Sequence, residues 1–259
     1  MYGDAGRDYV AAAERFWGFG SRGTIARLGL RGGERVLDVA CGAGASAIPA
    51  ARAVGPTGHV LALDAAEPML SLGRERARTE GLANLEFGQA DMTELDLPAG
   101  SFDAVVCVLG IFFVPDMVGQ AARLWSLVAP GGRLAITTLG PRFLAPMIDA
   151  FLRAAADERP DVPLVLPWER TADPATLAGI LAGAGVPGPA IEHERRQVAL
   201  ASANDWWQAV MGSGLRRHVV AIGAEPAERV RARNAGWMAE REVREVEIGV
   251  LYALAPRAA

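Results

Sequence analysis

The chain predicts an α/β fold: a doubly wound, seven-stranded, mostly parallel sheet with helices on both faces and helical lid segments. Three observations predict the α/β class. Short apolar runs alternate with helix-like stretches from Val36 to about Gly140. The runs are almost continuously hydrophobic, as strands covered on both faces must be. One of them leads straight into a glycine-rich turn and then a helix, the arrangement of a right-handed crossover unit.

Taken in order, residues 4–19 place Tyr9, Ala13, Phe16 and Phe19 at helical spacing beside Trp17, and Gly32-Gly33 closes this preamble. Val36–Val39, Val60–Leu63, Leu85–Phe87, Ala104–Val108 and Leu134–Thr137 are too short for buried helices and read as strands. A helix begins after Gly44, another runs Met69–Glu80 to a stop at Gly81, and a third starts around Asp116. Beyond Gly140 the alternation lapses. Phe143–Ala156 reads as an amphipathic helix, Pro160, Pro163 and Pro167 mark a loop, and Asp173-Pro174 opens a capped helix that ends at Gly185. Ile191–Leu200 is strand-like but polar, as an edge requires. Asn204–Met211 and Pro226–Glu242 read as helices, and Ile248–Leu254 as an apolar interior strand. The expected organisation is a helical cover over residues 1–30, then one domain over 31–259 with covering insertions at about 141–172 and 202–240.

Composition narrows the function. The 259 residues carry 30 acidic and 26 basic side chains, a net charge of −4 that argues against nucleic-acid partners. All 26 basic residues are arginine, which excludes lysine Schiff bases, pyridoxal phosphate and a P-loop lysine. Two cysteines, Cys41 and Cys107, and three scattered histidines, His59, His193 and His218, give no metal-ligand spacing. No run of about 18 apolar residues reads as a membrane span. The start, Met1-Tyr2-Gly3-Asp4, lacks a signal-peptide pattern, so a cytoplasmic protein is expected.

The chemistry concentrates at the ends of the first four strands. Val36-Leu37-Asp38-Val39-Ala40-Cys41-Gly42-Ala43-Gly44-Ala45 lets a ligand approach the backbone at a helix N-terminus. Asp64 ends the second strand, where a carboxylate can take both hydroxyls of a ribose. Gly42-x-Gly44-x-x-Ala47 also satisfies the dinucleotide pattern, which leaves a nicotinamide or flavin enzyme open at this point. Asp91-Met92 follows the third strand, and Pro130-Gly131-Gly132 leads into the fifth. Dinucleotide folds usually place an apolar residue or glycine where Asp38 stands.

With these motifs in this order, the sequence resembles the class I S-adenosylmethionine (SAM)-dependent methyltransferases, and among them the small-molecule group of the ubiquinone/menaquinone C-methylases. The resemblance runs from Val36 to Gly140 and more loosely to both ends. It implies a last strand lying antiparallel between the fifth and sixth. It further implies SAM as cofactor, with Asp38 and the Ala40–Gly44 loop, Gly42 and Gly44 included, at the methionyl part. Asp64 and Ala65 would lie at the ribose, Asp91 and Met92 at the adenine, Met69 against its ring, and Val108 beneath the methyl. Cys41 and Cys107 would sit on adjacent strands as paired core thiols.

Methyl transfer needs an apolar, water-poor pocket, in-line geometry and at most one base. His218, His193 and Tyr9 are the candidates for that base. The expected acceptor is a small apolar metabolite, methylated on oxygen, carbon or nitrogen and held by Phe16, Trp17, Phe112, Phe113, Phe143 and Trp206. Five of the six tryptophans fall in the covering segments, which favours an aromatic or polyketide-like acceptor in natural-product biosynthesis. No Asp-Pro-Pro-Tyr or Asn-Pro-Pro-Tyr follows the fourth strand, which speaks against amide or base N-methylation. The alternatives are a quinone-pathway C-methyltransferase, a cyclase of the same fold that keeps SAM unreacted, and an NAD(P)-dependent oxidoreductase. The absence of lysine and of a Ser…Tyr…Lys set weighs against the last. Oligomeric state is not legible.

Overall fold

A computed structural model describes residues 10–259. Seven strands form one sheet: β1 (Arg35–Val39), β2 (His59–Asp64), β3 (Leu85–Gln89), β4 (Phe102–Val108), β5 (Val128–Leu139), β6 (Ala190–Ala199) and β7 (Glu245–Pro256). Their order is β3-β2-β1-β4-β5-β7-β6. β1 to β5 pair in parallel, and β7 runs antiparallel between β5 and β6. The polar β6 takes the edge and the apolar β7 the interior, as their side chains require. Gly131, at φ +76°, turns the chain near the start of β5, where the register against β4 shifts.

Helices cover both faces. On one lie α1 (Gly18–Leu28), α2 (Ala47–Val54) and α3 (Glu67–Thr79), packed through Ile25, Ala51, Leu70 and the sheet residues Val36, Val60 and Val106. On the other lie α4 (Met117–Leu127) and, further along the chain, a helix over Pro174–Gly183, packed through Leu124, Leu177, Leu37 and Val105. Cys41 belongs to the first face and Cys107 to the second, so the thiols lie on opposite sides of the sheet and are not a pair. Asp116 caps α4 by accepting from the Gly119 amide at 2.8 Å.

A third apolar cluster sits over the β5–β7 half. It joins the π-helical turn Ala13–Trp17, α5 (Met147–Glu158), the 3-10 turn Pro167–Thr171 that precedes α6 (Pro174–Gly183), α7 (Ala203–Met211), α8 (Arg216–Ile222) and α9 (Ala224–Glu240). The amphipathic stretch expected from Phe143 begins its helix only at Met147. Residues 141–146 are turns in which Arg142 and Leu144 hold positive φ, which a helix cannot accommodate. α8 was not legible as a helix. No helix among the described residues is long and apolar enough to cross a membrane, and no group of His, Cys, Asp or Glu among them could hold a metal ion.

Candidate functional site

The carboxyl ends of β1, β2 and β4 converge on one cleft, the place where doubly wound sheets leave room between diverging crossovers. At the end of β1 the chain turns sharply through Ala40 (φ +60°), Gly42 (+54°) and Gly44 (+80°) before α2. Ala40 and Leu109 (φ +56°), which follows β4, are non-glycine residues in the left-handed region, and such strain gathers at ligand sites. Gly110 makes room between them: a Cβ there would stand 2.5 Å from that of Ala40 and 3.1 Å from Cys107 Sγ.

Asp38 is buried beneath the turn. The Ser46 hydroxyl donates to its Oδ2 at 2.6 Å, while its Oδ1 has no partner and no access to solvent. Burial pushes the Asp38 carboxyl up to about 7, against the Ser46 hydrogen bond and with a further push from Asp64. Asp64 fastens the turn to the next crossover. The Gly42 amide donates to its Oδ2 and the Ala66 amide to its Oδ1, each at 2.8 Å. Each oxygen keeps a lone pair for a ligand. Asp91 caps the 3-10 turn Met92–Glu94 by accepting from the Thr93 hydroxyl and amide at 2.7 and 2.8 Å, both on Oδ1. Those bonds hold its carboxyl below the usual range. Buried Gln120 donates to the Met92 carbonyl at 2.9 Å and fixes this turn from below.

Three neighbouring spaces result, all three with Leu109 on their walls. One, about 350 Å³, lies between the glycine turn and α1, with Trp17, Ser21, Arg22, Ala40, Gly42 and Leu109 on its walls. The second, about 480 Å³, is bounded by Asp64, Ala65, Met69, Asp91, Met92 and Phe113. The two share Ala40, Gly42, Val108 and Leu109. The third is a chamber of about 50 Å³ walled by Trp17, Leu109, Phe112, Phe113, Leu139, Phe143, Trp168, Ser213 and Gly214.

The expected cofactor residues Ala40, Gly42, Asp64, Ala65, Met69, Asp91, Met92 and Val108 therefore line one cleft. Two do not face it. Asp38 lies under the turn, and Gly44 is a backbone pivot whose Cβ would meet Phe87 at 3.0 Å. Of the expected acceptor residues, Trp17, Phe112, Phe113 and Phe143 line the chamber. Phe16 and Trp206 do not: Phe16 is packed in the apolar cluster, and Trp206 meets Phe151 edge to face while its indole donates to Asn234 Oδ1 at 2.7 Å. Trp206 is thus a core residue, because a buried indole must spend its N–H inside.

Among the base candidates, His218 is buried with Nε2 3.1 Å from the Val165 carbonyl. Burial and neighbouring Arg217 lower its pKa. His193 is exposed on β6, its Nε2 standing 2.9 Å from where a Cβ on Gly140 would be. Neither lines the three spaces. Tyr9 lies outside the described residues. The sequence places Leu109 at the end of the fourth strand with Val108, but its strained φ leaves no trace in composition. Sequence reasoning missed Arg22, Ser213 and Arg170, whose guanidinium donates to the Val114 and Pro115 carbonyls at 2.8 and 2.7 Å and holds the Phe112–Pro115 wall.

A family model described as a methyltransferase domain matches residues 36–132. Nocamycin O-methyltransferase of Saccharothrix syringae is 32% identical over 198 residues, 72% of this chain and 71% of that protein. Aklanonic acid methyltransferase DauC of Streptomyces sp. is 42% identical over 106 residues, 41% of this chain and 48% of that protein. The ubiquinone/menaquinone biosynthesis C-methyltransferase UbiE of Pseudomonas putida is 41% identical over 123 residues, 47% of each chain. The chain thus spans about half the length of the latter two. Among solved structures, YcgJ of Bacillus subtilis superposes with a TM-score of 0.60 at 16% identity, covering 93% of this chain and 99% of that one. A SAM-dependent methyltransferase of Aquifex aeolicus gives 0.52 at 18% identity, covering 94% and 92%. These two structural likenesses speak to the fold.

Proposed function

The chain belongs to the class I SAM-dependent methyltransferases, and from that premise we propose that it methylates an oxygen of a small, apolar natural-product intermediate. The observation that carries this reading is the junction at Leu109, which lines both parts of the strand-end cleft and the aromatic chamber beside it. A quinone-pathway C-methylation is the second setting, given the likeness to UbiE. The natural-product setting is preferred because the relative matched over the greater length is an antibiotic O-methyltransferase by name. We place the enzyme in the cytoplasm.

The residues fit the cofactor. Among the described residues Asp91 Oδ2 has no hydrogen-bond partner, Asp38 Oδ1 is an orphaned buried acceptor under the turn, and a Cβ on Gly42 would find nothing nearer than Met69 Cε at 3.6 Å. Asp64 would take the ribose diol, Asp91 and the Met92 amide the adenine edge, and Met69 its face. The glycine turn with Arg22 would take the methionyl end, where Arg22 lines the first space and makes no ion pair among the described residues. SAM, when bound, supplies an electrophilic methyl group on a sulfonium.

The chain's own contribution is positional. Leu109 and Val108 set the floor between the two ligands, and the aromatic walls exclude water, so less charge is solvated at the reacting atoms. Segments 1–30, 141–172 and 202–240 would form the cover on the acceptor side. Calorimetry with SAM, S-adenosylhomocysteine and NADH tests the premise: the first two should bind, and binding of NADH alone would overturn it. Incubation with tritium-labelled methyl donor and aromatic polyketide acceptors tests the transfer. Product formed without label would instead favour a cyclase.

A further inference from the structure

Beyond Leu109 the acceptor chamber is almost wholly aromatic carbon. Trp17 meets Phe143, and Phe143 meets Trp168, edge to face, with centroids 5.9 and 5.7 Å apart and planes at 61° and 75°. The hydroxyl of Ser213 is already used. It donates to the Val210 carbonyl at 3.2 Å and accepts from the Leu215 amide at 3.3 Å. His218 is turned to the Val165 carbonyl, and His193 stands over Gly140 on the sheet edge. Among the described residues, the chamber wall carries no group able to take a proton from an acceptor.

We propose that the acceptor binds with its nucleophile already ionised: a flat, conjugated organic acid, carboxylic or enolic, whose O–H is lost to water before it enters the chamber. This rests on the methyltransferase reading. Ring edges carry the positive side of the aromatic quadrupole and tolerate an anion better than ring faces do. The remaining desolvation cost would be offset by the opposite charge of the sulfonium when SAM is bound. The acceptor oxygen uses one lone pair to form the O–C bond as the C–S bond breaks, and that bond's electron pair stays on sulfur. Both charges vanish together, and no proton moves in the step. A dry aromatic wall therefore favours the neutral products without any base.

The test uses the full chain, tritium-labelled SAM and four two-ring probes: 2-naphthoic acid, 2-hydroxy-1,4-naphthoquinone, 2-naphthol and 2-naphthalenemethanol. The two acids should be methylated at saturating SAM, with no ionisation in the pH profile that His218→Ala or Tyr9→Phe removes. His218→Ala and Tyr9→Phe should stay within about twofold of wild type. The alcohol should give no product. The inference is overturned if naphthol or the alcohol outpaces the acids, if the rate falls more than about tenfold in either variant, or if a chain that binds S-adenosylhomocysteine methylates neither acid. Failure to bind S-adenosylhomocysteine would instead defeat the methyltransferase reading itself.

Discussion

Asp64 shows how one side chain serves both fold and site, since the Gly42 and Ala66 amides both end on its carboxylate. Asp64→Ala should lose roughly 1.5–3 kcal/mol of S-adenosylhomocysteine affinity by calorimetry, and should melt earlier because two amides lose their acceptor. Arg22 separates the two ends of the cleft. Arg22→Met should weaken SAM and S-adenosylhomocysteine several-fold yet leave 5′-methylthioadenosine, which lacks the amino-acid end, unchanged. Asp38 makes stability depend on pH in the less usual direction. Its pKa of about 7 lies above the unfolded value near 3.9, so between these the native state keeps a proton the unfolded chain has lost. Its contribution is therefore intact below about pH 4 and is lost as pH rises towards 7. Denaturant melts from about pH 5 to about pH 8 should show wild type losing on the order of 2–3 kcal/mol relative to Asp38→Asn. A parallel pH dependence in both would count against this origin. Asp64 and Asp91 were legible as cleft residues because a carboxylate at or just past a strand end of a doubly wound sheet has few other uses, whereas Asp38 faces the underside of the turn. Arg22 was not legible, because one arginine among 26 has nothing in its neighbours to mark it.

The elements divide between a sheet that periodicity reveals and a cover that it does not. β1 to β5 and α2 to α4 follow from apolar runs and glycine stops, since each buries one defined face against its neighbour. The cover is built from short helices with strained connections, such as Arg142 and Leu144 at positive φ and the π-helical turn at Ala13–Trp17. Local pattern cannot set those against a distant partner. Trp206 illustrates the cost: its composition suits a ligand wall, yet its N–H is committed to Asn234, which is itself buried. Arg170 is the element-level clamp, tying the 3-10 turn Pro167–Thr171 to the Phe112–Pro115 wall. Arg170→Met should raise the KM for the acceptor while leaving SAM binding by calorimetry unchanged. Equal loss of both would show that the wall supports the cofactor cleft as well.

At the scale of the molecule, ligand and fold are coupled by mass action, because the cleft exists only when β1, β2 and β4 are assembled. S-adenosylhomocysteine at a hundredfold over its Kd should stabilise the chain by about 2.7 kcal/mol, read as a rise in Tm that NADH does not produce. The interior place of β7 was legible from its apolar run beside the polar β6, once the resemblance supplied a sheet to place them in. The same place of β7 bears on synthesis. β5 and β6 share no ladder with each other and meet only through residues 245–256. While the ribosome is still making that segment, β6 has no neighbour to zip onto. The cofactor half of a nascent chain can thus pair all its strands while β6 still waits for its partner.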